Sequence, residues 1–256
     1  MSASASATTA RRHGAPLPAT VQIGLVALAA GCWVLTGNRM AGMDAGPGTA
    51  LGGLGWFLVS WAVMMAAMML PATAPMAVAH ARLRPAARGR ATLAFVGGYL
   101  LAWSAVGLVA YALIEGVRSL DLGFLAWDEA GRYVAGGAIL AAALFQLTPA
   151  KDACLRRCRD THAARNGFEH GAHCIACCWA LMAALFALGV MSIAWMAFVA
   201  ALIAGERLLP SKLMAKQAVA VVLVVLGLAV ALAPGDVPGL TEPDAQDAGG
   251  MTMTMQ

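Results

Sequence analysis

Charged side chains are scarce in this chain. Only 12% of its 256 residues are Asp, Glu, Lys or Arg, whereas an ordinary soluble domain carries about a quarter. Apolar residues make up 61% of the chain, and the mean hydropathy is +0.74. These values exclude an ordinary soluble globular domain and indicate an integral membrane protein.

Other missing features exclude further classes of protein. The sequence has no P-loop and no phosphorylated-ATPase motif, so any transport would be passive or depend on a partner. It has no basic stripe, which argues against nucleic-acid binding. No charged residue lies centrally in the predicted spans, which argues against a proton-driven carrier of hard cations. Catalysis by a Cys/His nucleophile is a weaker alternative, and we do not expect the protein to be an enzyme.

The apolar runs predict an all-α, polytopic bundle of about six spans. A bilayer is crossed by about 20 apolar residues, and the predicted spans are 20–37, 54–78, 92–114, 132–149, 178–204 and 214–233. We therefore expect a transmembrane domain over residues 20–234, between a disordered segment at 1–19 and a disordered, acidic, Met-containing tail at 235–256. Lipoprotein-type cleavage before Cys32 is a weaker alternative to an uncleaved first span.

Loop charges predict the orientation in a bacterial inner membrane. Arg11 and Arg12 precede the first span. The loops at 82–90 and 151–165 are rich in basic residues, whereas the loop at 121–129 is net acidic. Because Lys and Arg favour the cytoplasmic side, the N-terminus and a Cys/His loop at 150–178 are predicted to be cytoplasmic.

The same rule fails at the end of the chain. Arg207, Lys212 and Lys216 would lie outside after one more crossing, and the acidic tail would lie inside. Acidic residues weigh little in the rule, so six spans remain the prediction. A re-entrant segment between Cys174 and Glu206 is the alternative.

The stretch "HGAHCIACCW" concentrates thiols and imidazoles in ten positions. Its donors share about 140° of a helical wheel because they are spaced i, i+3, i+4, i+7 and i+8: His170, His173, Cys174, Cys177 and Cys178. Cys154 and Cys158 repeat the i, i+4 spacing, at which Cβ atoms are about 5–6 Å apart. Two such faces would supply three or four soft ligands to one metal ion. Apolar filler cysteines and disulfides are the weaker alternatives.

Four blocks resemble a known family. They are "WAVMMAAMMLPATAP" (61–75), "GGYLLAW" (97–103), "QLTPAKDACLRRCRD" (146–160) and "HGAHCIACCWALM" (170–182). Together they resemble the signature blocks of a bacterial family of predicted metal-binding integral membrane proteins, a domain of unknown function. The resemblance covers residues 50–210 and implies a polytopic, copper chaperone-like protein.

The resemblance also implies which residues stand at motif positions: Cys154, Cys158, His170, Cys174, Cys177 and Cys178. Ala150, Asp160 and Ala176 depart from the family's usual Leu, Pro and Gly. None of the three departures removes a ligand. The family pattern leaves the identity of the metal open.

Soft donors favour Cu(I), because thiolates and thioethers bind it better than they bind hard cations. Met64 with Met68, and Met65 with Met69, form two i, i+4 pairs in the second span. This short motif resembles the methionine pairs of helical copper transporters and predicts a possible metal path. Packing is the alternative interpretation.

The leading hypothesis is therefore a membrane protein that handles copper. It would bind Cu(I) at its Cys/His cluster and deliver it to a cuproprotein or metallochaperone partner, or move it across the membrane. The alternative is a thiol-based redox sensor, a Zn²⁺ sensor or an assembly subunit without transport. The expected partners are the metal ion, such a protein and membrane lipid, with no nucleic acid.

Overall fold

The computed structural model of the chain describes residues 19–40, 52–119, 130–160, 165–189, 192–208, 212–238 and 240. The regular structure within these ranges is helical, which confirms the all-α prediction. The helices are α1 (Ala19–Met40), α2 (Leu54–Arg82), α3 (Arg88–Ser119), α4 (Arg132–Gln146), α5 (Pro149–Arg159), α6 (Gly167–Leu188), α7 (Ile193–Leu208) and α8 (Lys212–Leu232). The predicted disordered head, apart from Ala19, and most of the tail lie outside the described residues.

Five of these helices, α1, α2, α3, α6 and α8, are long and apolar enough to cross a membrane. A sixth span results if α4 and α5 count as one, although the chain bends by 70° between them. Pro149 explains the bend, because proline disfavours helical geometry in the residue before it. Thr148 accordingly is extended, and its hydroxyl accepts the Lys151 N–H to cap α5. The model agrees with the predicted count of about six.

The predicted span at 178–204 is wrong. The structure ends one helix at Leu188 and begins the next at Ile193, and Gly189 between them has φ +103°. Glycine adopts that left-handed backbone at little cost, so the chain can stop α6 there. The segment predicted as a Cys/His loop is also largely helical, since α5 covers 149–159 and α6 begins at 167.

The start of α6 is set by a local cap. Asn166 accepts the backbone N–H of Glu169 at 2.9 Å, and the Glu169 carboxylate accepts the N–H of Arg165 at 2.8 Å. Reciprocal bonds of this kind satisfy backbone donors that have no partner within the helix. The helix therefore begins before His170 and carries all five donors of the motif on one rigid element.

Helix α7 runs back along the bundle, antiparallel to α6. Near the end of α6, Phe186 stacks on Trp61 close to the start of α2, and Ile193 at the start of α7 packs against Gly37 near the end of α1. At the other end of α7, Glu206 contacts Lys151 of α5. With only 16 residues, α7 is shorter than the helices that could cross a membrane, and its C-terminal end reaches the level of Cys177 in the middle of α6.

This reversal lies within the segment 174–206 of the re-entrant alternative, and it returns the chain toward the side on which α6 begins. Lys216 of α8 forms an ion pair with Asp152 of α5 at 2.8 Å, so the basic residues around α7 and α8 share one end of the bundle with α5. Helix α3 also begins at that end, because Gly98 packs on Phe168 at the start of α6. The starts of α3, α6 and α8 therefore lie toward the same end of the bundle as α5, which the positive-inside rule predicts to be cytoplasmic.

The return of the chain along α7 predicts that residues 83 and 236 lie on opposite sides of the membrane, whereas the six spans of the sequence prediction would place both in the cytoplasm. Leu83 and Asp236 are exposed. In a Cys154→Ser background, whose five remaining thiols are buried, an impermeant maleimide should label Asp236→Cys in intact cells. Leu83→Cys should react only after lysis. Protection of both positions in intact cells would show that α7 does not cross.

A close crossing of α3 and α6 positions the motif. Gly167 and Gly171 stand four residues apart on α6, and a Cβ at Gly167 would overlap the carbonyl oxygen of Phe95. A Cβ at Gly171 would come within 2.7 Å of the Ala102 Cβ. Small residues at this spacing let two helix backbones approach closely. The approach brings Tyr99 of α3 against Cys174.

Candidate metal centre

Four cysteines from two helices converge in the interior, and we refer to them as the thiol cluster: Cys158 of α5 and Cys174, Cys177 and Cys178 of α6. The sulfurs of Cys177 and Cys178 are 3.6 Å apart. Cys158 forms side-chain hydrogen bonds with Cys174 and Cys177. Each of the four residues is at most 3% exposed, and all are free thiols. The two predicted cysteine faces therefore meet.

A guanidinium group lies among these sulfurs. Nη2 of Arg207, in the last turn of α7, donates to Cys174 Sγ at 2.7 Å and to the sulfurs of Cys177 and Cys178 at 3.4 Å each. Arg207 is partly exposed. A single cationic nitrogen is thus shared by three buried sulfurs. Sequence reasoning treated Arg207 only as a loop charge.

Tyr99 is a further neighbour that sequence reasoning did not assign. Its hydroxyl lies 3.0 Å from Cys174 Sγ, and the residue is 1% exposed. The residue belongs to the "GGYLLAW" block, one of the four blocks that carry the family resemblance. The hydroxyl gives the buried Cys174 sulfur a polar neighbour from a third helix.

A buried ion pair fixes the cluster's framework. Lys151 Nζ lies 2.8 Å from Glu206 Oε2 and donates to the carbonyl oxygen of Cys177 at 2.7 Å, and Gln146 Nε2 donates to Glu206 Oε1 at 2.6 Å. The two charged residues are only 1% and 2% exposed. Breaking such a pair on one side costs about 3–5 kcal/mol. This network ties α4, α5, α6 and α7 together around the thiols.

The pair also orients Cys158. Lys151 and Cys158 are seven residues apart on α5, so they share one face of that helix. The anchored Lys151 therefore turns Cys158 toward α6. The sequence placed Lys151 in a loop and Glu206 at a span end, and only the folded arrangement shows that both are buried.

The other predicted ligands lie outside the thiol cluster. His170 is 1% exposed, and its ring packs against Phe95 and Tyr99 with centroids 5.6 and 5.8 Å apart. His170 Nε2 and His173 Nδ1 are buried without a hydrogen-bond partner. Cys154 is half-buried at the edge of the core. Across the described ranges, no three His, Cys, Asp or Glu side chains are already arranged to hold an ion.

The chain matches the PpoB2 family, described as copper chaperone, over residues 58–230. It belongs to this copper chaperone family. The matched range runs from α2 into α8 and includes the thiol cluster, Tyr99, Lys151 and Arg207. No curated protein and no solved structure matches the chain significantly. The resemblance found in the sequence is thus confirmed at the level of the family.

The donor chemistry of this copper chaperone suits a soft ion. The converging side chains carry sulfur, and the buried carboxylate nearby, Glu206, is already bound by Lys151 and Gln146. Sulfur donors favour copper in its Cu(I) form, whereas carboxylates favour hard cations. The residues present therefore fit a copper cargo.

The four predicted path methionines are buried in the same core as the thiol cluster. Met64, Met65, Met68 and Met69 are between 0% and 2% exposed. Measured from the Trp61–Phe186 stack, the methionines lie about 5–12 Å along α2 and the three cysteines of α6 lie about 12–18 Å along α6. Both groups lie on the same side of the stack. Burial is equally expected of packing, so the path remains a proposal.

Proposed function

We propose that this copper chaperone binds Cu(I) at the thiol cluster and delivers it from within a bacterial inner membrane to a cuproprotein or metallochaperone partner. The observation that carries the proposal is the convergence of four buried thiols from α5 and α6 inside the region matched to the family. Cu(I) is the cargo in this function, and the chain holds it without catalysing a reaction.

The geometry supports binding of a soft ion by sulfur donors. Cys174 and Cys177 lie one turn apart on α6, and Cys158 faces them from α5. A structural Zn²⁺ site takes four ligands in a tetrahedron. The thiol cluster also holds four sulfurs, so their number alone does not separate Zn²⁺ from Cu(I), and the preference for Cu(I) rests on the copper chaperone family match.

Burial also argues against a redox sensor. Sensor cysteines are solvent-accessible, because an oxidant must reach the sulfur. The thiols of the cluster are at most 3% exposed. Metal handling therefore explains the site better than the thiol-sensor alternative does.

Metal content of the purified protein tests the proposal. Detergent-solubilised chain, loaded anaerobically with equimolar Cu(I), Zn²⁺ and Mn²⁺ and then desalted, should retain about one Cu(I) per chain, because its sulfur donors select the softest ion. Elemental analysis measures the bound metals. Retention of Zn²⁺ in place of copper would favour the Zn sensor or assembly alternative, and retention of no metal would contradict the proposal.

A further inference from the structure

The Arg207 guanidinium occupies the place that a bound cation would take. From its position among the sulfurs, we infer that Arg207 is a displaceable cap: it fills the cation position in the metal-free protein and must leave before Cu(I) binds. This inference rests on the proposed function and adds to it a residue that regulates the same site.

The distances make the guanidinium and a metal ion mutually exclusive. Nη2 lies 2.7 to 3.4 Å from the sulfurs of Cys174, Cys177 and Cys178, whereas metal–thiolate bonds measure about 2.3 Å. An ion bound by these sulfurs would therefore overlap the guanidinium. The thiols can close on the ion only after Arg207 has moved.

Exposure indicates how the cluster opens. The four cysteines are at most 3% exposed and Tyr99 is 1% exposed, whereas Arg207 is partly exposed. Arg207 is also in the last turn of α7, which ends at Leu208. The Arg207 guanidinium lies directly against the sulfurs and its Nε is buried, so this side chain has to rotate before an ion can reach them.

The guanidinium bonds to the sulfurs because the carboxylate next to it already has other partners. The adjacent carboxylate, Glu206, is held by Lys151 at 2.8 Å and by Gln146 at 2.6 Å. In the described part of the chain, the Arg207 guanidinium donates to the three sulfurs, and its Nε has no hydrogen-bond partner. Charge-assisted hydrogen bonds of this kind are stronger than neutral ones.

Competition of this kind suits a chaperone, which must release its cargo. Binding of Cu(I) exchanges the hydrogen bonds of Arg207 for metal–sulfur bonds, and each ligating cysteine gives its proton to water. No electron is transferred. When an acceptor draws the ion away, each thiolate takes a proton back from water and the returning guanidinium again lies against the sulfurs.

Replacement of Arg207 by Gln tests the inference. Arg207→Gln should hold Cu(I) at least about tenfold more tightly than wild type in competition with a chromophoric Cu(I) chelator, because a charge-assisted competitor has been removed. It should also load faster. Arg207→Lys, which keeps a charged competitor, should stay within a few-fold of wild type.

Equal or weaker copper binding by Arg207→Gln would overturn the inference and make Arg207 a counter-charge that stabilises the bound ion. The proposed function is tested separately, by whether wild type binds Cu(I) at all and loses it when the cluster cysteines are replaced. A wild type that binds no copper would refute that function, whatever Arg207 does.

A second measurement needs no variant and serves if Arg207→Gln does not fold. Wild-type protein is treated with a dicarbonyl reagent that modifies arginine, before and after Cu(I) loading, and each site is quantified by peptide mass spectrometry. Arg207 should be protected without metal and modified with it, while the exposed Arg157 reacts equally in both states. Unchanged protection of Arg207 would overturn the inference.

Discussion

A Cys174→Ser/Cys177→Ser double variant should lose bound copper altogether. Serine preserves the size of the side chain but replaces a soft sulfur with a hard oxygen, which binds Cu(I) poorly. Both residues contact Cys158 across the α5–α6 junction, so the variant removes the centre of the thiol cluster. Elemental analysis after anaerobic loading measures the loss.

Two single variants serve as matched controls for the double variant. Cys32 is buried in α1, outside the region matched to the family, so Cys32→Ser should keep its copper. Cys154→Ser should also keep it, because Cys154 stands outside the thiol cluster, although the sequence predicted it as a ligand. Copper retained by the double variant, or lost equally by Cys32→Ser, would refute the site.

Local patterns predicted the half of the site that lies within single helices. The spacing of Cys174, Cys177 and Cys178 predicted a shared helix face, and the i, i+4 repeat at Cys154 and Cys158 predicted a second one. The structure brings three of these residues together with Cys158 in the core, whereas Cys154 is half-buried and packs against that core from its edge. The difference arises because the i, i+4 spacing predicts only that Cys154 and Cys158 point to the same side of α5. Which of the two turns contacts α6 depends on how the two helices pack.

The six-span prediction lacked the break between α6 and α7, which only the re-entrant alternative between Cys174 and Glu206 allowed for, because an apolar run gives no polar signal where it stops. Gly189 was the available indication, yet a single glycine in such a run also fits an uninterrupted helix. The cap formed by Asn166 and Glu169 was a better signal, since a capping residue followed three positions later by Glu is typical of a helix start. With that start, the apolar run from 167 to 204 becomes too long for one span.

Arg207 and the Lys151–Glu206 pair lay beyond local reasoning for a different reason. Gln146 and Glu206 are 60 residues apart in the chain and hydrogen-bonded in the fold. Charges at span ends usually reach water, and these are buried because α5 folds back after Pro149 and α7 returns beside it. Such tertiary contacts leave no periodic trace in the sequence.

The methionine pairs of α2 give the last prediction, which separates transfer of copper from static binding. Replacing Met64, Met65, Met68 and Met69 together by Leu should leave copper bound at the thiol cluster but abolish its delivery. Leu and Met exchange in a core at a cost below about 1.5 kcal/mol, so the fold should survive. Thioethers, in contrast, offer Cu(I) a sulfur donor that Leu cannot replace.

Proteoliposomes containing a Cu(I) chelator in their lumen measure delivery directly, since the chelator changes colour only when the ion reaches it. The matched control replaces Met182 and Met196, two buried methionines of α6 and α7, by Leu and should deliver copper as wild type does. Because both variants lose core thioethers, a difference between them isolates the position of the α2 pairs. If the variant with four Leu substitutions delivers copper as wild type does, the methionine pairs serve only for packing. The thiol cluster would then exchange copper without help from α2.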